Sequence, residues 1–303
     1  MKGFLSKKQV EKSCLGYWVV LVQKNLPNSI TLSTITTITT TITNKTPRLK
    51  LPFLHITGSG QPLIWMHGML NSVESDAVYS LIEFEQLAEQ VQLIQYDACD
   101  KSATGDYSWN GMVQELNEVI DSLGNDKVIL GGVSMGSGTA LYTAIRYPEK
   151  VKALILVTPP PAWEVRVAVQ KLYEKIALKA RPDHLPEFLR RIIQYNQDPP
   201  EFYEKYFPCT RKRLIDIRMN FDPAYYYNIY HGGAISDFPE RKELTQVKIP
   251  TLIVGDPNDP GHPIEVAKEM SNLIQDSKLF QVSNLEDYRQ LQETVSVFLS
   301  SIT

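Results

Sequence analysis

The stretch that most constrains the fold is Val128-Ile129-Leu130-Gly131-Gly132-Val133-Ser134-Met135-Gly136-Ser137-Gly138-Thr139-Ala140. An apolar run of strand length leads into Gly132-x-Ser134-x-Gly136, and small residues open a helix behind it. A serine on so tight a strand-to-helix turn leaves little space two residues to either side, where glycine fits and larger residues do not. The turn lifts the hydroxyl above the sheet edge. The helix N-terminus behind it stabilises negative charge. The bare Gly-x-Ser-x-Gly pattern arises by chance about 0.1 times in a chain this long. The flanking strand and helix therefore carry the reading of a nucleophile elbow at Ser134.

The remaining pattern supplies a sheet for that elbow. Leu49–Ile56 reads as a strand and Gly58-Ser59-Gly60 as a turn. Leu63–Met66 is a short buried strand ending at His67-Gly68-Met69, followed by a predicted helix over Ser72–Gln90 and a strand over Val91–Tyr96. Ser108 caps a helix whose Met112, Leu116, Val119, Ile120 and Leu123 recur at helical spacing until Gly124. Strands follow at Lys127–Leu130, Ala153–Val157, Pro250–Gly255 and Lys278–Val282, the second and third of them buried, with a helix over Ile264–Ile274 between the last two and one running to Thr303 after them. Buried runs alternating with helices predict an α/β fold with a doubly wound, mostly parallel sheet, and ligands bind at the carboxyl edge of such sheets.

Residues 159–246 interrupt the rhythm. Pro159-Pro160-Pro161 ends a strand, helical patterns run over Trp163–Ala180 and Leu185–Tyr195, and no clear buried strand appears. This predicts a helical cap inserted into a core of residues 47–158 and 247–303. Its aromatic residues, among them Phe202, Tyr203, Tyr206, Phe207, Phe221, Tyr225, Tyr226, Tyr227 and Tyr230, serve individually to pack cap on core and as a group include a pocket wall. Arg211-Lys212-Arg213 reads as a solvated helix start.

Composition excludes several classes. A net charge of −3 over 303 residues gives no basic footprint for nucleic acid. No apolar run reaches the ~18 residues of a membrane span. No Cys/His cluster has zinc spacing and no glycine loop is built for phosphate, so neither metal nor other cofactor is implied. Cys14, Cys99 and Cys209, odd in number and far apart, suggest free thiols in a reducing, cytoplasmic setting. Residues 1–46, with lysines, a short apolar run and a Thr/Ile-rich tract, read as an uncleaved extension whose tract is a disordered tether or an edge strand. Oligomeric state is left open.

The order of strand, elbow, insertion, strand with acidic loop, strand and final helix resembles the α/β-hydrolase superfamily from about Leu49 onward. That resemblance implies Ser134 as nucleophile, with the acid after the strand that follows the cap. Asp259 in Asn-Asp-Pro-x-His-Pro matches the acid, with Asp256 second. His67-Gly68-Met69 matches the oxyanion loop, implying that the Met69 and Met135 amides face a developing oxyanion. His67 is then structural, and His231-Gly232-Gly233, lying in the cap, is set aside. Ser134-Met135-Gly136, Pro159-Pro160-Pro161-Ala162-Trp163 and Asp259-Pro260-Gly261-His262-Pro263 together resemble a bacterial subgroup of the superfamily.

One departure stands out. The superfamily's histidine is expected just after the last strand, where this chain carries Glu286-Asp287, and no histidine follows His262. Asp287 is a poor substitute, because a carboxylate near pKa ~3.9 is a far weaker base than an imidazole near ~6.5. His262 is the candidate base if its loop folds inward; otherwise it is a structural histidine fixing the turn. The expected function is an esterase-like serine hydrolase of a small, largely apolar ester, thioester or lactone. The alternatives are a ligand-binding pseudo-hydrolase, or a lyase or cyclase using the same pocket.

Overall fold

The computed structural model describes residues 51–101, 105–124, 127–180, 185–195 and 199–302, all within a compact unit that spans residues 50–303. The N-terminal extension, with Cys14 and the Thr/Ile-rich tract, lies outside the described residues. The elements run β1 (His55–Gly58), β2 (Pro62–Met66), α1 (Val73–Asp76), α2 (Phe84–Ala88), β3 (Gln92–Tyr96), α3 (Trp109–Leu123), β4 (Val128–Val133), α4 (Met135–Arg146) and β5 (Val151–Val157). A helical insertion follows: α5 (Trp163–Ala177), α6 (Leu185–Tyr195), α7 (Glu201–Tyr206), α8 (Thr210–Met219), α9 (Pro223–Ile235) and α10 (Arg241–Leu244). The chain then returns through β6 (Thr251–Gly255), α11 (Ile264–Leu273), β7 (Ser277–Gln281) and α12 (Leu285–Ile302).

The strands form a seven-stranded sheet in the order β1-β3-β2-β4-β5-β6-β7, parallel throughout except for β1. The chain winds outward from β2 to β3, then crosses back to start β4 on the other side of β2. That reversal opens a crevice at the carboxyl ends of β2 and β4, which is where the Ser134 turn sits. Along β4, Val128 and Leu130 face one apolar cluster and Ile129 the other, so both faces of the sheet are covered. The Met112, Leu116, Val119 and Ile120 stripe of α3 is buried, Ser108 accepts the Gly111 N–H at its N-terminus, and Gly124 ends it at φ +65°.

Two expectations shift. Among the described residues the first strand begins at His55, with Pro52, which lacks an N–H, in the unpaired segment before it; the expected start at Leu49 lies outside the described residues. The helix expected over Ser72–Gln90 is broken into α1 and α2. Gln292 of α12 donates to Leu81 O and accepts the Glu83 N–H, and the Ser80 hydroxyl accepts the Ile82 N–H. Those bonds take the backbone groups a continuous helix would use. Cys99 is free as expected. Among the described residues no helix is long and apolar enough to cross a membrane.

The elbow is fixed by backbone crowding. A Cβ on Gly136 would overlap the Met66 carbonyl group and press on the His67 carbonyl oxygen, while one on Gly132 would meet Gly136 and Met66 backbone. Neither neighbour is a flexible side-chain end, so neither can yield cheaply. Gly136→Ala is expected to destabilise the fold by about 1–3 kcal/mol, the usual cost of overpacking, which urea unfolding measured against wild type will show.

Candidate active site

Ser134 occupies φ +51°, ψ −112°, a conformation disfavoured for any residue with a side chain, and its N–H is anchored to Val157 O at 2.9 Å. This is the strained turn expected of the elbow. It places Ser134 at the wall of a cavity of about 1570 Å³ lined from the core by Met69, Asp256, Asp259 and His262 and from the insertion by Tyr173 and Tyr230, among others. A site of that size exceeds the ~300–1,000 Å³ usual for a small molecule.

The loop after β6 folds inward. Its backbone makes successive turns, with Asp259 N–H donating to Asp256 O at 3.2 Å and His262 N–H to Asp259 O at 3.3 Å. Asp259 Oδ1 accepts the Gly261 N–H at 2.7 Å, closing the turn over Pro260. The other oxygen, Oδ2, lies 2.6 Å from His262 Nδ1, and His262 Nε2 lies 2.7 Å from Ser134 Oγ. An ionised carboxylate only accepts hydrogen bonds, so Nδ1 carries the ring proton and Nε2 offers its lone pair to the serine hydroxyl. Sequence reasoning left open whether His262 fixes the turn or faces the serine; the structure puts it against the serine.

The two carboxyls of this loop have opposite environments. For Asp259 burial acts to raise the pKa, but the His262 hydrogen bond and charge and the Gly261 and His262 N–H groups outweigh it, leaving it below the ordinary value. For Asp256, burial pushes the carboxyl up and repulsion from Asp259 adds to that, against the Asn258 N–H that it accepts at 2.8 Å. Asp256 is the second acid candidate; its bonding is to the loop, not to the histidine.

The other predicted positions separate cleanly. His67 is buried; Nε2 accepts the Ala98 N–H at 3.1 Å, so Nδ1 is the donor to Gly68 O at 2.8 Å, and the ring ties the ends of β2 and β3 together. Met69 lines the cavity, and Met135 is the first residue of α4, whose N–H has no acceptor within the helix. The Met135 carbonyl accepts Trp109 Nε1 at 3.2 Å and Thr139 Oγ1 at 3.0 Å. Asp287 stays out of the site: Oδ2 accepts the Ser283 N–H at 2.8 Å and Asn284 Nδ2 at 2.9 Å, while Asn284 Oδ1 accepts the Glu286 and Asp287 N–H groups. The slot where the resemblance places a histidine is thus a helix cap. His231 stacks on Tyr227 in the insertion.

Of the aromatic residues singled out in the sequence, Phe202 and Tyr230 line the cavity, Tyr225 and Tyr226 pack inside the insertion, and Tyr206 and Tyr227 are exposed. Tyr173, Phe188 and Asn71 were not singled out. The first two lie on helices whose inward face the sequence pattern does not orient, and Asn71 sits in a loop without periodicity. Also unforeseen is Arg218 of α8, buried to 2% exposure, whose Nε donates to Leu70 O at 3.2 Å and Nη2 to Asn71 Oδ1 at 2.8 Å. It fastens the insertion to the loop that carries Met69. Among the described residues no group of His, Cys, Asp or Glu is placed to hold a metal ion.

Comparisons with known proteins agree with this architecture. Residues 61–185 match the family described as alpha/beta hydrolase fold. The chain is 29% identical over 246 residues to the AB hydrolase superfamily protein YisY of Bacillus subtilis (strain 168), covering 77% of this chain and 87% of that one. It is 33% identical over 183 residues to a 2-hydroxymuconate semialdehyde hydrolase of Pseudomonas sp. (strain CF600), covering 54% of this chain and 64% of the relative. In structure it is similar to a thermophilic esterase from Thermogutta terrifontis, with a TM-score of 0.68 at 18% identity over 82% of this chain and 93% of the esterase.

The opposed carboxyls give a test by pH. Asp259, with a depressed folded pKa, contributes stability that is present above its unfolded value of ~3.9 and lost as pH falls through the folded one. Asp256, with a raised pKa, has the opposite sign: its ionisation removes stability as pH rises from the unfolded value to the folded one. Urea midpoints followed from about pH 2.5 to pH 7 should show that Asp259→Asn flattens the acid loss of stability. Asp256→Asn should steepen it.

Proposed function

Since the chain belongs to the α/β-hydrolase superfamily, we propose that it is a serine hydrolase cleaving an ester, thioester or lactone through an acyl-Ser134 intermediate. The observation that carries this reading is the Asp259–His262–Ser134 relay, with contacts of 2.6 Å and 2.7 Å. His262 Nε2 takes the hydroxyl proton as Ser134 Oγ attacks the carbonyl carbon, and Asp259 stabilises the imidazolium that results. The charge that develops on the carbonyl oxygen faces the Met69 and Met135 N–H groups. Collapse of the tetrahedral intermediate breaks the bond to the leaving group, which receives the proton from His262. A water molecule, deprotonated by the same ring, then releases the acid and restores Ser134.

Acid and base come from one loop, three residues apart, so the missing histidine before α12 does not remove the base from the site. The hydrogen-bonded Ser134–His262 contact favours turnover over ligand binding alone, since a serine kept only to bind ligand needs no imidazole acceptor. Insertion residues Tyr173, Phe188, Ile192 and Tyr230 line the cavity together with Ser134, which supports reading the insertion as a cap. The name of the curated hydrolase to which the chain is similar supports hydrolysis as the reaction class.

The test is intact-mass labelling with a fluorophosphonate probe. Wild type is expected to gain one adduct, Ser134→Ala none, and His262→Ala is expected to lose labelling along with about 10⁴-fold or more in kcat/KM on an activated ester. Full labelling of His262→Ala would remove His262 from the mechanism. Folded wild type that takes no label would end the hydrolase reading.

A further inference from the structure

The tyrosines around the insertion divide by what their hydroxyls do. Tyr226 donates to Arg218 O and Tyr142 to Asp237 O, while the Tyr225 hydroxyl is sealed in the core without a partner. Tyr173 of α5 and Tyr230 of α9 differ from all of these. Both line the cavity that holds Ser134, and among the described residues neither hydroxyl has a hydrogen-bond partner in the protein.

Their rings are held in place. The Tyr173 and Tyr230 centroids lie 5.6 Å apart in an edge-to-face arrangement, and Phe188 packs on Tyr230 at 6.1 Å. The Tyr230 residue is only 4% exposed. Arg166, buried to 2%, stands 5.8 Å from the Tyr173 ring and is itself fixed by the Ser236 and Gly233 carbonyls at the end of α9. Tyr173 also borders a smaller chamber of about 20 Å³ that touches Ser134, Met69, Met135 and Arg166. Tyr173 therefore stands at the Ser134 end of the cavity, and both rings are held by the aromatic packing around them.

Phenylalanine would supply the same packing without a polar atom. A hydrocarbon chain filling the cavity would strip water from both hydroxyls and leave them unpaired, which is the expensive state of a buried donor. A ligand oxygen at the same place replaces that water. Arg166 adds positive potential, which favours an acceptor oxygen over a donor.

We propose that Tyr173 and Tyr230 form an oxygen-recognition subsite, and that the substrate carries a second acceptor oxygen in its acyl group, a ketone or carboxylate beyond the scissile carbonyl. This rests on the serine-hydrolase reading and narrows its substrate class from plain alkanoyl to oxo- or carboxy-acyl compounds.

Matched para-nitrophenyl esters test it: butyrate against acetoacetate, and valerate against levulinate, each pair equal in chain length and differing by one ketone. Wild type is expected to prefer at least one keto ester over its partner by about tenfold in kcat/KM, the scale of one well-made buried hydrogen bond. Tyr173→Phe and Tyr230→Phe should each draw that ratio toward one, and the double variant should abolish it. A wild-type ratio of one for both pairs overturns the subsite and leaves the hydrolase intact. So do variants that lower both members of a pair in parallel, because that is what a packing role would produce. Wild type inert toward all four esters overturns the subsite, and if it also takes no fluorophosphonate the hydrolase reading falls with it.

Discussion

The active-site geometry depends on one close approach of backbone to backbone. Gly136, in the first turn of α4, lies against the Met66 and His67 carbonyl groups at the end of β2, and Gly132 lies against Gly136. With no Cβ on either side, the chain can turn sharply enough for Ser134 to hold φ +51°. That strain costs on the order of 1–3 kcal/mol and persists because β4 and α4 are each fixed by their own burial. The same approach brings the loop of Gly68 and Met69 beside the start of α4. The proposed nucleophile and oxyanion donors are thereby placed by a single contact.

The relay depends on a second economy of geometry. Asp259 and His262 share one loop, and the turn between them is stiffened at each step: Pro260 fixes a φ, Gly261 donates to Asp259 Oδ1, and Pro263 opens α11. An acid and a base taken from separate loops must each be positioned by its own surroundings. Here the bond that orients the acid also sets the distance to the base. In the proposed mechanism the region before α12 supplies no catalytic group, and the Asn284 and Asp287 side chains cap the helix.

What the sequence revealed follows from which interactions are local. Ser134, its glycines and the capped α3 were readable because each depends on neighbours within a few residues. The parallel core was readable because buried strands are continuously apolar, as Leu154–Val157 and Leu252–Val254 are. The helix break between α1 and α2 was not, because it is imposed by Gln292, more than two hundred residues away in sequence. His262 was identifiable as a candidate base for Ser134 only on condition that its loop folds inward, and that fold is a tertiary fact. Tyr173 and Arg218 were invisible for a related reason: in the insertion, amphipathic helices show which residues face inward without showing against what.

Buried charge explains how so loosely patterned an insertion is held in register over the sheet. Arg218 bonds Leu70 O and Asn71 Oδ1, and Arg166 bonds the Ser236 and Gly233 carbonyls while lying 4.6 Å from the Trp109 ring. Apolar contacts alone would let these helices slide at little cost, because they lack direction. A guanidinium bonded to backbone carbonyls has direction, and displacing it strands both charge and acceptors. Trp109 in turn donates to Met135 O, the residue after the nucleophile. The insertion is thus coupled to both proposed oxyanion donors, through Arg218 on the Met69 side and through Arg166 and Trp109 on the Met135 side. On the proposed mechanism, a change in how the helices sit over the cavity is therefore felt at the proposed oxyanion donors, which would link recognition of the acyl group to the geometry of its attack.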